Sequence, residues 1–254
     1  MTTNLTTFSA AQWSDAFTRG NELPLPERIG FWAEMAARDT VYVAGPLGEG
    51  EGKLPDTGPL HDFRHVDCVT FVEQVYALAL SHSRAEFDEQ LRRIRYQDGQ
   101  VDYRRRNHYT VSDWLPANAW FIRDITAHVG ATQEMTKTIS RAHFFAAKGL
   151  TQYADIPDET ATTSYLPRAQ AATLAGQLRT GDLIIFVVAT PGIIAGHVGL
   201  IRMQHGVAYL QHAGMAAKKV VTVPLRDYLR TLPERFVGFK IARPYLIVTT
   251  AKKR

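Results

Sequence analysis

The chain has a single cysteine among its 254 residues, Cys68. That excludes an internal disulfide framework and any zinc site built from four thiolates of one chain. No CxxC or HExxH segment, internal repeat or low-complexity tract occurs. The longest candidate membrane run, residues 183–189, is cut off by Thr190-Pro191-Gly192. It is too short to span a bilayer and reads as a buried strand, so no stable membrane insertion is expected. A strong excess of either charge is also missing. Basic residues number 29 and acidic residues 25, for a formal charge of +4. Mild basicity favours anionic partners in general, but without a basic stripe or a binding motif it does not point to nucleic acid. Residues 1–13 hold neither a basic segment nor an apolar core, so no secretory leader is expected there.

What is present describes a globular protein. Hydrophobic residues make up 45% and charged residues 21%, and the length suits one large domain over residues 1–254. Residues 10–39 carry helical signals broken at Leu23-Pro24-Leu25-Pro26. Pro26 or Glu27 is expected to open the second helix, whose apolar face includes Ile29, Trp32, Ala33 and Ala36. Residues 45–58 are Gly-rich and read as a loop. Asp67 is placed to cap a helix over about 68–82 that is apolar nearly all round. Ser83 and Glu86 have capping-box spacing ahead of a second helix with Phe87, Leu91 and Ile94 on one face. Asp98-Gly99 marks a turn, with a short strand expected at Val101 and Tyr103. After a mixed stretch at 104–170, apolar or alternating runs at 183–189, 197–203, 207–212 and 219–223 predict strands. A short helix over 225–232 and a last strand over 238–243 follow. A helical part at about 10–100 and a sheet at about 180–245 make an α+β protein. Lys252-Lys253-Arg254 reads as a frayed tail.

Cys68 draws attention because of its place. A buried cysteine is ordinarily an inert small hydrophobe, but the first turn of a helix offers free N–H groups and a positive dipole end. These lower a thiol pKa and can hold an oxyanion. A thiolate nucleophile needs a base held by a third group. His197 opens one predicted strand and His212 closes the next. Whether the turn centres on Gln204-His205 or one residue later, alternation leaves both imidazoles on one face. His197 is then the base and His212 its orienting partner, with Gly196 and Gly199 leaving room for a substrate backbone. Zinc held by Cys68, His197 and His212, or by His61, His65 and Cys68, is the competing reading. Between Tyr103 and Trp120 lie Arg104, Arg105, Arg106, His108, Tyr109, Asp113 and Trp114. Such a run is a solvated face or a substrate wall of guanidinium and aromatic groups.

Asp67-Cys68-Val69-Thr70-Phe71-Val72-Glu73 resembles the nucleophile helix of the NlpC-type papain-like peptidoglycan hydrolases. Gly181-Asp182-Leu183-Ile184, His197-Val198-Gly199 and Gln211-His212-Ala213 resemble that clan's sheet motifs. Ile94-Arg95-Tyr96, Asp98-Gly99, Arg106-Asn107-His108-Tyr109 and Asp113-Trp114 narrow the likeness to the N-acetylmuramoyl-L-alanine amidase-like branch. The resemblance covers about residues 27–244. It implies a papain-like core whose nucleophile helix packs on an antiparallel sheet, with extra N-terminal helices and an insertion at about 104–170. Cys68 becomes the nucleophile, His197 the base and His212 the third residue. Asp67, Arg106, His108, Tyr109, Asp113, Trp114 and Gly196 become the substrate wall. No metal or other cofactor is required. The implied substrates are peptidoglycan or muropeptides, cut between muramic acid and L-alanine or, alternatively, at the D-Glu–diamino acid bond of the stem peptide. A catalytically silent wall-binding module is the other alternative. Ile193-Ile194-Ala195-Gly196 and Gly214-Met215 depart from the branch and bear on bond preference. The expected setting is the periplasm or cell wall after export by another route, otherwise the cytoplasm, with an immunity protein as partner if the chain is an effector.

Overall fold

The computed structural model describes residues 4–174 and 176–245, so the basic tail at 252–254 lies outside the described residues. Helix α1 (Ala10–Asn21) starts at a reciprocal capping box. The Ser9 Oγ accepts the Gln12 N–H at 3.3 Å, and the Gln12 side chain accepts the Ser9 N–H at 2.8 Å. Helix α2 (Leu25–Ala36) begins at Leu25, slightly earlier than expected, because Pro24 serves as N-cap and Pro26 falls in the first turn. No intrahelical N–H is needed there. Ile29, Trp32, Ala33 and Ala36 are all buried.

Helix α3 (Cys68–Leu80) is buried from Thr70 to Ala79. Helix α4 (Arg84–Arg95) packs beside it through Phe87, Leu91 and Ile94. The capping box expected at Ser83 does not form. Glu86 reaches past Ser83 and accepts the His82 N–H at 2.9 Å. The turn at Asp98-Gly99 is present, with left-handed φ of 54° and 68°. No strand follows it; residues Tyr103–Arg105 form a 3-10 turn capped by Asp102.

A short parallel pair joins β1 (Val41–Tyr42) to β2 (His65–Val66). The main sheet is antiparallel and has eight strands. It contains β3 (Ile122–Asp124), β4 (Gln133–Ile139), β5 (Glu159–Pro167), β6 (Leu183–Val188), β7 (Ala195–Gln204), β8 (Val207–Gly214), β9 (Lys219–Pro224) and β10 (Phe236–Pro244). The order is β4-β5-β10-β6-β7-β8-β9, with β3 also on β10. Short helices α5 (Leu115–Ala117), α6 (Thr126–Val129), α7 (Arg141–Ala146), α8 (Ala171–Leu174) and α9 (Leu225–Arg230) lie in the connections.

The sheet has an apolar layer on each face. Leu183, Ile185, Val198, Leu200 and Ala213 pack toward α1–α4. Ile184, Phe186, Leu210, Phe239 and Ile241 pack toward α9. The structure is therefore α+β, with the Cys68 helix laid on an antiparallel sheet.

Two backbone details set the register that matters. His205 and Gly206 both have positive φ, 48° and 78°, which makes a two-residue turn whose twist suits a hairpin. Gln204 pairs with Val207 and Leu200 with Gln211, the later of the two centres considered from sequence, and extending it sets His212 opposite Gly199. Between β6 and β7 the register slips, Phe186 facing His197 and Val187 facing Ala195. Gly196 is the extra residue of this bulge, and a Cβ there would sit 2.3 Å from Val188 Cγ1. Because the bulge lies on the β6 side, the β7–β8 alternation that aligns the histidines is intact.

Candidate active site

Asp67 fixes the start of α3. Its Oδ1 accepts the N–H groups of Val69 and Thr70 at 3.1 and 2.8 Å, and its Oδ2 accepts the Gly45 N–H at 3.0 Å. Thr70 Oγ1 accepts the Asp67 N–H at 2.9 Å, closing the box. Both carboxylate oxygens are thus engaged by backbone, one at the helix start and one in the Gly-rich loop.

Cys68, the first helical residue, is half-buried. Burial first, and then the Asp67 charge, push its thiol up to about 12. The backbone N–H groups of Val198, Cys68 and Val69 pull the other way. The expectation of a sulfur ionised by the helix start is corrected here. The donors are present, but desolvation and a neighbouring carboxylate outweigh them.

His197 and His212 meet as their register demands. His197 Nε2 lies 2.8 Å from His212 Nδ1, and the rings are 4.8 Å apart and nearly perpendicular. Burial, then the His212 charge, drives His197 down to about 3; burial alone drives His212 down to about 4. Both rings are therefore neutral near pH 7. The shared bond uses one nitrogen of each ring, so among the described residues His197 Nδ1 is left without a hydrogen-bond partner. The thiol lies against the same strand, since the N–H of Val198, the residue after His197, is among the groups that lower its pKa.

Two tyrosines that sequence reasoning passed over complete the surroundings. Tyr228 on α9 stands edge-on to His212 at 4.9 Å and 6.4 Å from His197. Burial and then the Cys68 charge raise its pKa. Tyr42 on β1 is raised likewise, by burial, Cys68 and Asp67 in that order. Neither tyrosine lies in a local motif. Each is delivered by a long-range crossing that no spacing announces.

The proposed substrate wall divides. Arg106 donates through Nε to Glu49 at 2.7 Å and through Nη2 to Asp56 at 3.0 Å, pinning the loop at 45–58. His108 is packed against Tyr103 and Phe144, its Nε2 lies 2.7 Å from the Tyr103 carbonyl, and burial takes it down to about 4. Asp113 accepts the Tyr109 N–H at 3.0 Å and pairs with Arg141. Trp114 is 2% exposed, between Tyr76 and Phe121. These four are held by the protein itself. Tyr109 stays half-buried on the cluster that holds Ile194, and Gly196 is exposed. Thr110 and Trp114 meet Val69 and Val198 around a very small cavity, so this segment does abut the start of α3.

As for a metal, His65 pairs with Asp62 at 2.7 Å and His61 with Asp88 at 3.0 Å. Among the described residues, no group of three or more His, Cys, Asp or Glu side chains gathers as a metal site.

Residues 34–238 match the model of a family described as AmiA-like, N-acetylmuramoyl-L-alanine amidase-like. A Legionella pneumophila structure of a domain-of-unknown-function family shares the fold at a TM-score of 0.84 and 22% identity, over 92% of this chain and 94% of that one. An N-acetylmuramoyl-L-alanine amidase from Bacteroides uniformis aligns at 0.71 and 28% identity, over 87% and 98%. A Bacteroides fragilis structure described only as a candidate xylanase aligns at 0.64 and 26%, over 81% and 96%. No curated protein sequence matches the chain.

Proposed function

The chain belongs to the N-acetylmuramoyl-L-alanine amidase-like family, and from that membership together with the Cys68, His197 and His212 arrangement we propose that it is a cysteine-dependent peptidoglycan hydrolase. On this reading its core is papain-like and of the NlpC type, and the bond cut joins N-acetylmuramic acid to L-alanine. The observation that carries the reading is the 2.8 Å bond between His197 Nε2 and His212 Nδ1, made between the two strands against which the Cys68 helix packs.

The bond orders the tautomers. With His197 Nε2–H donating to His212, Nδ1 is free to accept a proton. The resting thiol and imidazole are both neutral, given a thiol near 12 and a ring near 3. Proton transfer to Nδ1 therefore accompanies attack of the sulfur on the amide carbonyl rather than preceding it. The N–H donors around the sulfur then face the developing oxyanion. Collapse breaks the C–N bond, the alanine nitrogen takes the proton from His197, and a thioester to the muramyl side remains. Water, deprotonated by the neutral ring, hydrolyses the thioester to a carboxylate and returns the thiol.

Digestion of purified muropeptides, read by mass spectrometry, tests this reading. Wild type releases an intact stem peptide and Cys68→Ala does not. Cleavage between D-Glu and the diamino acid reassigns the bond. Equal product from both proteins eliminates the thiol, and no product from either leaves a wall-binding module.

A further inference from the structure

Between α9 and the start of β8 lies a cavity of about 670 Å³. Its floor is apolar: Leu225 and Leu229 of α9, one turn apart, with Val207 from the start of β8. Leu225 and Leu229 are buried, but Val207 is 48% exposed, an apolar strand residue left in water where the cavity opens. The rim carries three guanidiniums, Arg168, Arg226 and Arg230. Arg168 donates only to the Pro233 carbonyl, at 3.4 Å, and Arg230 faces the exposed Asp227 at 3.2 Å. Arg226 has no ion pair among the described residues, and none of the described residues lining the cavity is Asp or Glu. By contrast, Arg106 is matched by Glu49 and Arg141 by Asp113. Here Arg168 and Arg226 have no carboxylate partner among the described residues, and the one at Arg230, Asp227, is exposed.

We propose that this cavity binds a small amphipathic carboxylate, with its alkyl chain on Leu225, Leu229 and Val207 and its headgroup on Arg226 and Arg168. The chemistry selects that class. A fully hydrated inorganic anion satisfies the guanidiniums and leaves the floor wet; a neutral apolar molecule does the reverse. A carboxylate accepts paired N–H bonds from a guanidinium fork, while burying its alkyl chain removes the exposed apolar area from water.

The test uses decanoate below its micellar concentration as the probe, with titration calorimetry on the full chain. One-to-one saturable binding is expected, weakened at least tenfold in Arg226→Gln and in Val207→Asp. Both sites are exposed and neither supports the fold, and circular dichroism confirms that each variant is folded. Decanol and inorganic phosphate are expected to bind at least tenfold more weakly than decanoate. Absence of saturable heat, unchanged affinity in both variants, or equal binding of decanol or phosphate overturns the proposal. Repeating the titration on Cys68→Ala separates this site from the hydrolase reading, since decanoate affinity is expected to be unchanged whatever that variant does to muropeptides.

Discussion

A neutral resting thiol has a measurable signature. Cys68 is pushed from an ordinary value of 9.0 to about 12. That rise lowers the thiolate fraction near neutrality about a thousandfold. A more basic thiolate is also a better nucleophile, with a Brønsted slope of about 0.4–0.5, which returns a factor of about 20. The folded protein should therefore react with a small disulfide such as 4,4′-dithiodipyridine about 50-fold more slowly than the same chain in guanidinium chloride. Because Cys68 is the only cysteine, absorbance of the released thione reports it alone. Steric shielding also slows the reaction, but it leaves the pH dependence untouched. The logarithm of the rate should climb with unit slope through pH 10, without a plateau. A plateau with a midpoint below pH 8 refutes the reasoning, since it means that Cys68 and His197 rest as an ion pair.

Other outcomes follow from the same contacts. Asp67→Asn keeps an oxygen to cap α3 but removes the second cause of the raised thiol, so its reactivity profile should shift to lower pH; an unmoved profile counts against that cause. His212→Ala removes a hydrogen bond that strengthens once His197 is protonated. At about 1.5–3 kcal/mol for a bond to a charged group, kcat on muropeptides should drop about 10- to 150-fold with KM little changed. Acidification should destabilise the fold through His212, which is 5% exposed and lowered to about 4 from 6.5. Above pH 6.5 neither state holds the proton; below it the unfolded chain binds one and the folded chain does not. Stability is therefore lost between about pH 6.5 and 4, on the order of 3 kcal/mol, and urea midpoints of wild type and His212→Gln across that range check it. Gly196→Ala drives a methyl group to 2.3 Å from Val188 Cγ1 and should cost about 1–3 kcal/mol in urea unfolding.

Legibility tracked how much of each element faces a core. Helices α1–α4 and strands β6–β9 were read close to their true extents because their apolar faces are continuous. Strands β4 and β5 went unread. Their burial runs from exposed to intermediate with few buried positions, and their link is polar, Thr136 to Thr162 at 2.9 Å. With only the small cluster around Ile139 and Ala161 to face, little two-residue apolar rhythm reaches the sequence. At the site, the histidine pairing was legible because strand alternation and a two-residue turn fix it. The ionisation of Cys68 was not, because sequence shows the helix start but not the solvent it excludes. His108 and Trp114 share a stretch with Tyr109 and look alike on paper; only tertiary packing separates them.

The residue behind His197 is itself a ring. An amide in that position orients its neighbour and no more, and a carboxylate adds a fixed negative charge. A second imidazole orients its neighbour without a fixed charge, and its acceptor and its donor lie on opposite edges. The bond from His197 to His212 therefore couples two tautomerisable groups in series. A positive charge arriving at the first ring can be handed on to the far edge of the second without either ring leaving its seat. That second ring stands edge-on to Tyr228, 4.9 Å away.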